Sequence, residues 1–394
     1  MISIMPFGFL FVFIFLFGTV MSLSSLHWLG IWAGLEINLM GFIPILVYRG
    51  VTQEAESGMK YFIVQALGSG MIMAGSLISF NVLYSWEVHL NADFSAGLGV
   101  LLFGLMLKLG SFPFHFWLPS VMAGISWFGC LILATWQKIA PLFLLGSVLQ
   151  GWALNSFLGS FLALMAGFSS MVGGIGGLNQ TQVRALLAYS SIGHIGWMIF
   201  AMLVGNSALK MYFMIYFFVS GCFFLSLWWF ETSRFSQVSI LGSEESKMGQ
   251  VCMIFMLLSL GGMPPLLGFV GKWLVIWFSC EMLVPFSIIF LLIGSLISLF
   301  YYLSLLFSLS FLSGTVMLSK GNFSSLLNLS FMQTIKSTEL IGENKNNMSS
   351  DLSDSDIFGF SLSLGVSLII SFLFILNLVG GALIIFSLSL AEFI

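Results

Sequence analysis

The sequence predicts an all-α polytopic membrane protein with about eleven transmembrane helices and an inverted internal repeat. Three observations carry that expectation. First, 59% of the 394 residues are hydrophobic and only 7% are charged, against roughly 25% charged in a soluble domain. So little polar surface cannot cover a globule in water. Second, the apolar runs approach the ~20 residues a helix needs to cross a bilayer. They are apolar on every face, where a membrane barrel would alternate in segments of about ten. Third, two runs are interrupted by glycine and proline, as at the broken helices of transporters built from inverted repeats.

In chain order the first run is 3–22. It has no basic flank and no clear cleavage site, so it reads as a membrane helix, not a cleaved signal. Runs 25–47 and 58–83 follow, the former holding Glu36. Run 95–112 carries Lys108 and enters "GSFPFHFW"; run 121–148 holds Lys138. Runs 152–174, 184–204 and 209–230 come next, with His194 inside the second. Run 250–278 contains "GGMPPLLG" and Lys272; run 283–311 is uninterrupted, and 357–388 is the last. The stretches 231–249 and 313–356 are polar, and both read as solvated connections.

The basic residues orient these spans. With eleven spans, Arg49, Lys60, Arg184, Arg234, Lys247, Lys320, Lys336 and Lys345 share the side of the N-terminus, and Lys210 alone lies opposite. The N-terminus is therefore expected on the inner side and the C-terminus outside.

A charge at the centre of a membrane helix costs about 2.5–3.5 kcal/mol on insertion scales. The chain carries that cost at Glu36 in "WAGLEINLMGFIP", Lys108 in "LMLKLGSFPFHFW", Lys138 in "TWQKIAPLF" and Lys272 in "GFVGKWLVIW". One reading is a set of static ion pairs locking helices together. However, three lysines face one clear buried glutamate, so two lack a carboxylate at full charge. Burial without a partner makes a lysine's protonation switchable near neutral pH, and a row of such groups at mid-depth reads as a proton path. Glu36 and Lys108 form the natural pair. At an effective dielectric near 20, unit charges about 4 Å apart interact by roughly 4 kcal/mol, enough to switch a site as the pair opens or closes.

Lys108 is followed by Gly110, Pro113, His115 and Pro119; Lys272 is preceded by Gly261, Gly262, Pro264, Pro265 and Gly268. Proline inside a helix removes a hydrogen bond and clashes with the preceding turn. One break lies in the fourth span and one in the ninth, an odd offset, so the two segments cross in opposite directions. Irregular backbone at such depth survives only when packed in protein or facing water. Water is therefore expected at both breaks, beside both lysines.

His115 and His194 are candidate accessory relay groups, with a hydrogen-bonded structural role as the alternative for each. His27 and His89 fall at span ends or outer loops. Cys130, Cys222, Cys252 and Cys280 form no CxxC pair, so no zinc or iron–sulfur site is expected. The Gly-rich "MVGGIGGLNQTQVR" lacks the ending of a phosphate loop; it reads as a tight inner loop, with Asn179, Gln180 and Thr181 capping the next helix. The net charge of −3 implies no nucleic-acid partner.

"GLEINLMGFIPIL", "KYFIVQALGS", "LMLKLGSFPFHFWLPSV", "TWQKIAPLFLL", "GGLNQTQVRALLAYSSIGHIGWM" and "SLGGMPPLLGFVGKW" closely resemble the subunit 2 family of mitochondrial NADH:ubiquinone oxidoreductase, respiratory complex I. These are antiporter-like membrane subunits. The motifs keep the family's order from about residue 30 to 275. The resemblance implies the shortened animal form, with two inverted five-helix repeats at 1–150 and 151–312. A polar matrix-side loop, 313–356, and a final transmembrane helix, 357–394, complete the chain. In that family Glu36, Lys108, Lys138 and Lys272 match the proton-relay residues: the first pair tunes the input, Lys138 carries charge across, and Lys272 faces the exit. No cofactor is expected on this chain; NADH, FMN, iron–sulfur clusters and ubiquinone would bind other subunits. The expected partners are other membrane-arm subunits, neighbouring antiporter-like subunits and lipids such as cardiolipin, in the mitochondrial inner membrane. Residues 313–356 depart from the family as an apparent insertion.

Two other functions compete. A cation/proton antiporter subunit shares the fold, but a sodium site would want more intramembrane carboxylates than Glu36. A structural module that moves no ions predicts that neutralising the lysines leaves pumping intact.

Overall fold

The computed structural model describes residues 8–80, 96–150, 156–230, 244–280, 286–308, 372 and 374–381. Among these the chain is all-helical, and seven helical segments are long and apolar enough to cross a membrane, one of them, Trp127–Leu149, running through a 3-10 turn. The expected connection 313–356 and His89 lie outside the described residues, as does most of the expected final span.

The helices pack through small residues, because between apolar helices in lipid close backbone approach replaces the hydrophobic drive. Helices α1 (Gly8–Ser24) and α2 (Trp28–Val47) lie antiparallel along Gly18, Gly34 and Gly41. A methyl on Gly34 would sit 2.6 Å from the Ser22 nitrogen, and one on Gly41 2.6 Å from that of Phe15. Helices α3 (Thr52–Phe80) and α4 (Ala96–Leu109) pack the same way, Gly75 against Leu101 and Gly104 against Gly68. The third helix thus starts six residues before the expected 58, its polar first turn being continuous with the span.

The fourth helix stops at Leu109, short of the expected 112. Gly110 takes φ +74°, its N–H reaches Met106 O, and Ser111 N–H returns to Met106 O as well. This is the glycine-closed helix end in which a left-handed residue turns the chain back onto its own last carbonyls. The chain resumes as α5 (Trp117–Gly124), then α6 (Trp127–Ala134), whose first turn is capped by the Ser126 hydroxyl. A 3-10 turn, Trp136–Lys138, leads into α7 (Ile139–Gln150).

The expected continuous span 121–148 therefore starts only at Trp127, past the extended Ile125, and is broken at Lys138. The cause is local: Pro141 has no N–H to give the Gln137 carbonyl, so a regular turn cannot pass through that point.

Helices α8 (Ser156–Gly177) and α9 (Val183–Val204) form a third antiparallel pair. The Gly-rich 171–177 is helix, not loop, because its glycines admit neighbours: Gly173 meets Gly193, Gly174 meets Gly294 and Gly177 meets the Tyr301 ring. The expected cap by Asn179, Gln180 and Thr181 is also corrected. Gln182 stands at the N-cap without a side-chain bond, and Gln180 instead donates to Gly176 O at 3.3 Å, closing the end of α8.

Helix α10 (Asn206–Phe230) is followed by α11 (Glu244–Gly261) and α12 (Leu267–Ser279), the two halves of the expected ninth span. Their break repeats the first in detail. Gly262 has φ +83°, and the N–H groups of Gly262 and Met263 both return to Leu258 O. Helix α13 (Phe286–Ser308) then runs alongside α8, and a stretch at 374–381 seats Gly381 against the second break.

Candidate functional site

At each break the carbonyls freed by the helix end need donors. At the first, the Trp117 indole donates to Leu107 O at 3.1 Å and Gln65 Nε2 to Lys108 O at 3.4 Å. At the second, Lys272 Nζ itself donates to Gly261 O at 2.9 Å. A cation at a helix C-terminus also meets the negative end of the backbone dipole. One lysine thus precedes its break and the other follows it.

Lys108 and Lys138 are buried, 7% and 2% exposed, whereas Lys272 and His194 are only partly buried. Lys108 needs Gly68 for its stem: a methyl there would lie 2.9 Å from its Cγ. A cavity of about 20 Å³ is lined by both Lys108 and Lys138, together with Asn38, Tyr61, Gln65 and Gln137. That volume and that polar lining suit an ordered water.

From Lys138 the polar groups continue across to α10. Its Nζ donates to the Tyr216 hydroxyl at 3.0 Å and lies 4.8 Å from that ring's centroid. Tyr216 donates onward to Ala134 O at 3.2 Å. The Tyr216 and His194 rings are 5.0 Å apart, and His194 Nδ1 is 2.9 Å from the Tyr212 hydroxyl. His194 in turn lines a second cavity, about 10 Å³, with Lys272, Ser190, Ser298, Tyr301 and Tyr302. The hydroxyls of Tyr301 and Tyr302 are buried, and among the described residues neither has a partner at hydrogen-bond distance. A group left in that state pays its full desolvation cost unless water reaches it.

The structure thus brings Lys108, Lys138, His194 and Lys272 into one sequence of polar groups. Two expected members stand apart. Glu36 is partly exposed on α2, not the clear buried carboxylate expected, and among the described residues no ion pair joins it to Lys108. The two are near enough to interact electrostatically, yet the pair is open. The reason is that Leu35, Asn38 and Leu39, rather than Glu36, are the α2 residues turned to the cavity. His115 is buried among aromatic rings, with Phe116 at 4.0 Å and Phe112 at 6.2 Å, and lines neither cavity.

Sequence reading missed Asn38, Gln65, Gln137, Tyr212 and Tyr216. A signal existed for the last two: spaced four apart, tyrosines 212 and 216 share a helix face. The amides carry no charge to mark them. Among the described residues no cluster of three or more His, Cys, Asp or Glu could hold a metal, and Cys130, Cys222, Cys252 and Cys280 are free thiols.

The profile of the family described as NADH:quinone oxidoreductase/Mrp antiporter, TM, matches residues 25–298. The chain is 38% identical over 294 residues to NADH-ubiquinone oxidoreductase chain 2 of Lumbricus terrestris, covering 74% of this chain and 83% of that one. It is 39% identical over 320 residues to the chain 2 protein of Anopheles gambiae, covering 80% and 90%. Among solved structures, a chain of respiratory complex I from Thermus thermophilus superposes with a TM-score of 0.69 at 28% identity, covering 78% of this chain and 72% of that one. A chain of the Mrp complex from Dietzia shares the fold with a TM-score of 0.67 at 16% identity, over 76% of this chain and 59% of its own length.

Proposed function

This chain belongs to the NADH:quinone oxidoreductase/Mrp antiporter family, and on that premise we propose that it is a core membrane subunit of the proton-pumping NADH:ubiquinone oxidoreductase. Its part is to relay protons through Lys108, Lys138, His194 and Lys272, with Glu36 modulating Lys108. The observation that carries this is the continuity of the polar row. Two lysine-lined cavities are joined by the Lys138–Tyr216 hydrogen bond and the His194 ring.

A lysine accepts and gives protons, and hydroxyls and waters hand them on. The open Glu36–Lys108 pair supports a switch: closing it holds the proton on Lys108, and opening it favours release toward the cavity. The redox chemistry, with NADH, FMN, iron–sulfur clusters and ubiquinone, belongs to other subunits. The chain lies in the mitochondrial inner membrane beside other antiporter-like subunits and lipid, its N-terminus on the matrix side and its C-terminus on the intermembrane side. The matching glycine-closed breaks after Leu109 and Gly261 support two inverted five-helix repeats, 1–150 and 151–312, followed by the 313–356 loop and a final helix.

The competing reading, a static structural module, would pair its buried charges. None of the three lysines has an ion pair among the described residues. The test is Lys108→Met in the assembled complex, with protons translocated per NADH measured in sealed vesicles. A reduced ratio with normal assembly supports the relay; an unchanged ratio returns the chain to the structural reading.

A further inference from the structure

A pair of side-chain amides lines the cavity that Lys108 and Lys138 share. Asn38 Nδ2 donates to Gln137 Oε1 at 2.9 Å, and Gln137 Nε2 donates back to Asn38 Oδ1 at 3.2 Å. Both residues line the cavity that both lysines line, and among its described lining residues there is no carboxylate. Asn38 is buried.

An amide does not titrate in the physiological range, so neither residue carries a proton; what each can do is bind water. The closed ring spends one donor and one acceptor of each amide on the other. The cavity, about 20 Å³, has room for about one water. A water there meets amides whose facing donors and acceptors are already engaged with each other. Separating the amides by about 1 Å would break both hydrogen bonds and offer two donors and two acceptors to water in the cavity both lysines line.

The ring also joins two elements that carry relay groups. Asn38 lies on α2, two residues after Glu36, and Gln137 immediately precedes Lys138 in the 3-10 turn. No continuous helix fixes that turn, because Pro141 interrupts the ladder.

The geometry points to the Asn38–Gln137 amide ring as a hydration gate between Lys108 and Lys138, closed in this structure and opened by displacement of α2 relative to the turn. The inference rests on the relay reading above. Both are positioning residues.

The test uses the assembled complex in sealed vesicles, with two readouts: NADH-driven proton uptake, and passive decay of an imposed pH gradient without NADH. Asn38→Ala and Gln137→Ala remove the plug and should speed passive decay at least threefold. Asn38→Leu with Gln137→Leu seals the cavity dry and should lower protons moved per NADH without a leak. Asn38→Gln with Gln137→Asn restores an amide ring and should recover both properties. Where the alanine variants do not assemble, Asn38→Ser and Gln137→Ser give the same expected leak. Parental gradient retention in the alanine or serine variants, with parental pumping in the double leucine variant, overturns the gate. Lys138→Met in the same vesicles separates the two claims: normal pumping there removes the relay itself, whereas a pumping defect there with silent amide variants removes only the gate.

Discussion

The Lys138 ammonium donates to the Tyr216 hydroxyl at 3.0 Å, across the packing of the Pro141-broken span against α10. This bond links the first cavity to the second, because the Tyr216 ring lies against His194. Tyr216→Phe removes the hydroxyl and keeps the ring under the cation. A hydrogen bond to a charged group contributes about 1.5–3 kcal/mol. The variant should lower the thermal midpoint of the assembled complex and reduce protons moved per NADH. An unchanged proton ratio would show that transfer from Lys138 does not pass this hydroxyl.

Gly68→Ala tests the seat of Lys108. The new methyl would lie 2.9 Å from Lys108 Cγ, so the lysine stem must shift. Overpacking of this kind costs about 1–3 kcal/mol. Proton translocation should slow while the complex still assembles. Gly70→Ala, two residues on and with nothing within 4 Å, is the matched control and should behave as the parent.

The two breaks should respond alike to loss of their glycines. Gly110 and Gly262 hold φ of +74° and +83°, a conformation costing an L-residue roughly 1–2 kcal/mol. Alanine at either position also collides, with Leu118 at 2.9 Å or with Lys272 at 3.0 Å. Both variants should lower thermal stability. Gly262→Ala should in addition disturb proton movement, since the displaced lysine caps Gly261 O. A Gly262→Ala complex with parental pumping would mean that the position of Lys272 does not govern the rate.

The two histidines should separate. His194→Leu removes a ring between Tyr216 and the second cavity and should lower the proton ratio. His115→Phe replaces a ring packed on Phe116 and Phe112 and should leave the ratio at the parental value. A pumping loss in His115→Phe with normal assembly would place that histidine back on the path.

Much of the site was legible because its residues are costly where they stand. A lysine in an apolar run carries an insertion cost that marks it, so Lys108, Lys138 and Lys272 stood out one by one. The amides and tyrosines did not, because a neutral polar group in a membrane helix is common enough to pass unremarked. Asn38 and Gln137 are 99 residues apart, and nothing local announces that they meet.

The breaks were equally legible at Gly110–Pro113 and Gly262–Pro265, where glycine and proline fall together. The break at Lys138 was not, since Pro141 stands alone there and a lone proline such as Pro44 leaves α2 intact.

By itself the sequence determined the membrane class, most spans, the two glycine–proline breaks and the three lysines within apolar runs. Each follows from a local rule: the length of an apolar run, the missing N–H of proline, the φ freedom of glycine, the cost of a charge in lipid. Only the tertiary structure decided which charges are neighbours. It left Glu36 partly exposed and not ion-paired to Lys108, set His115 among aromatic rings and drew Tyr216 to Lys138. Those outcomes depend on the rotation and close approach of packed helices, which glycine contacts between distant segments fix and no local pattern encodes.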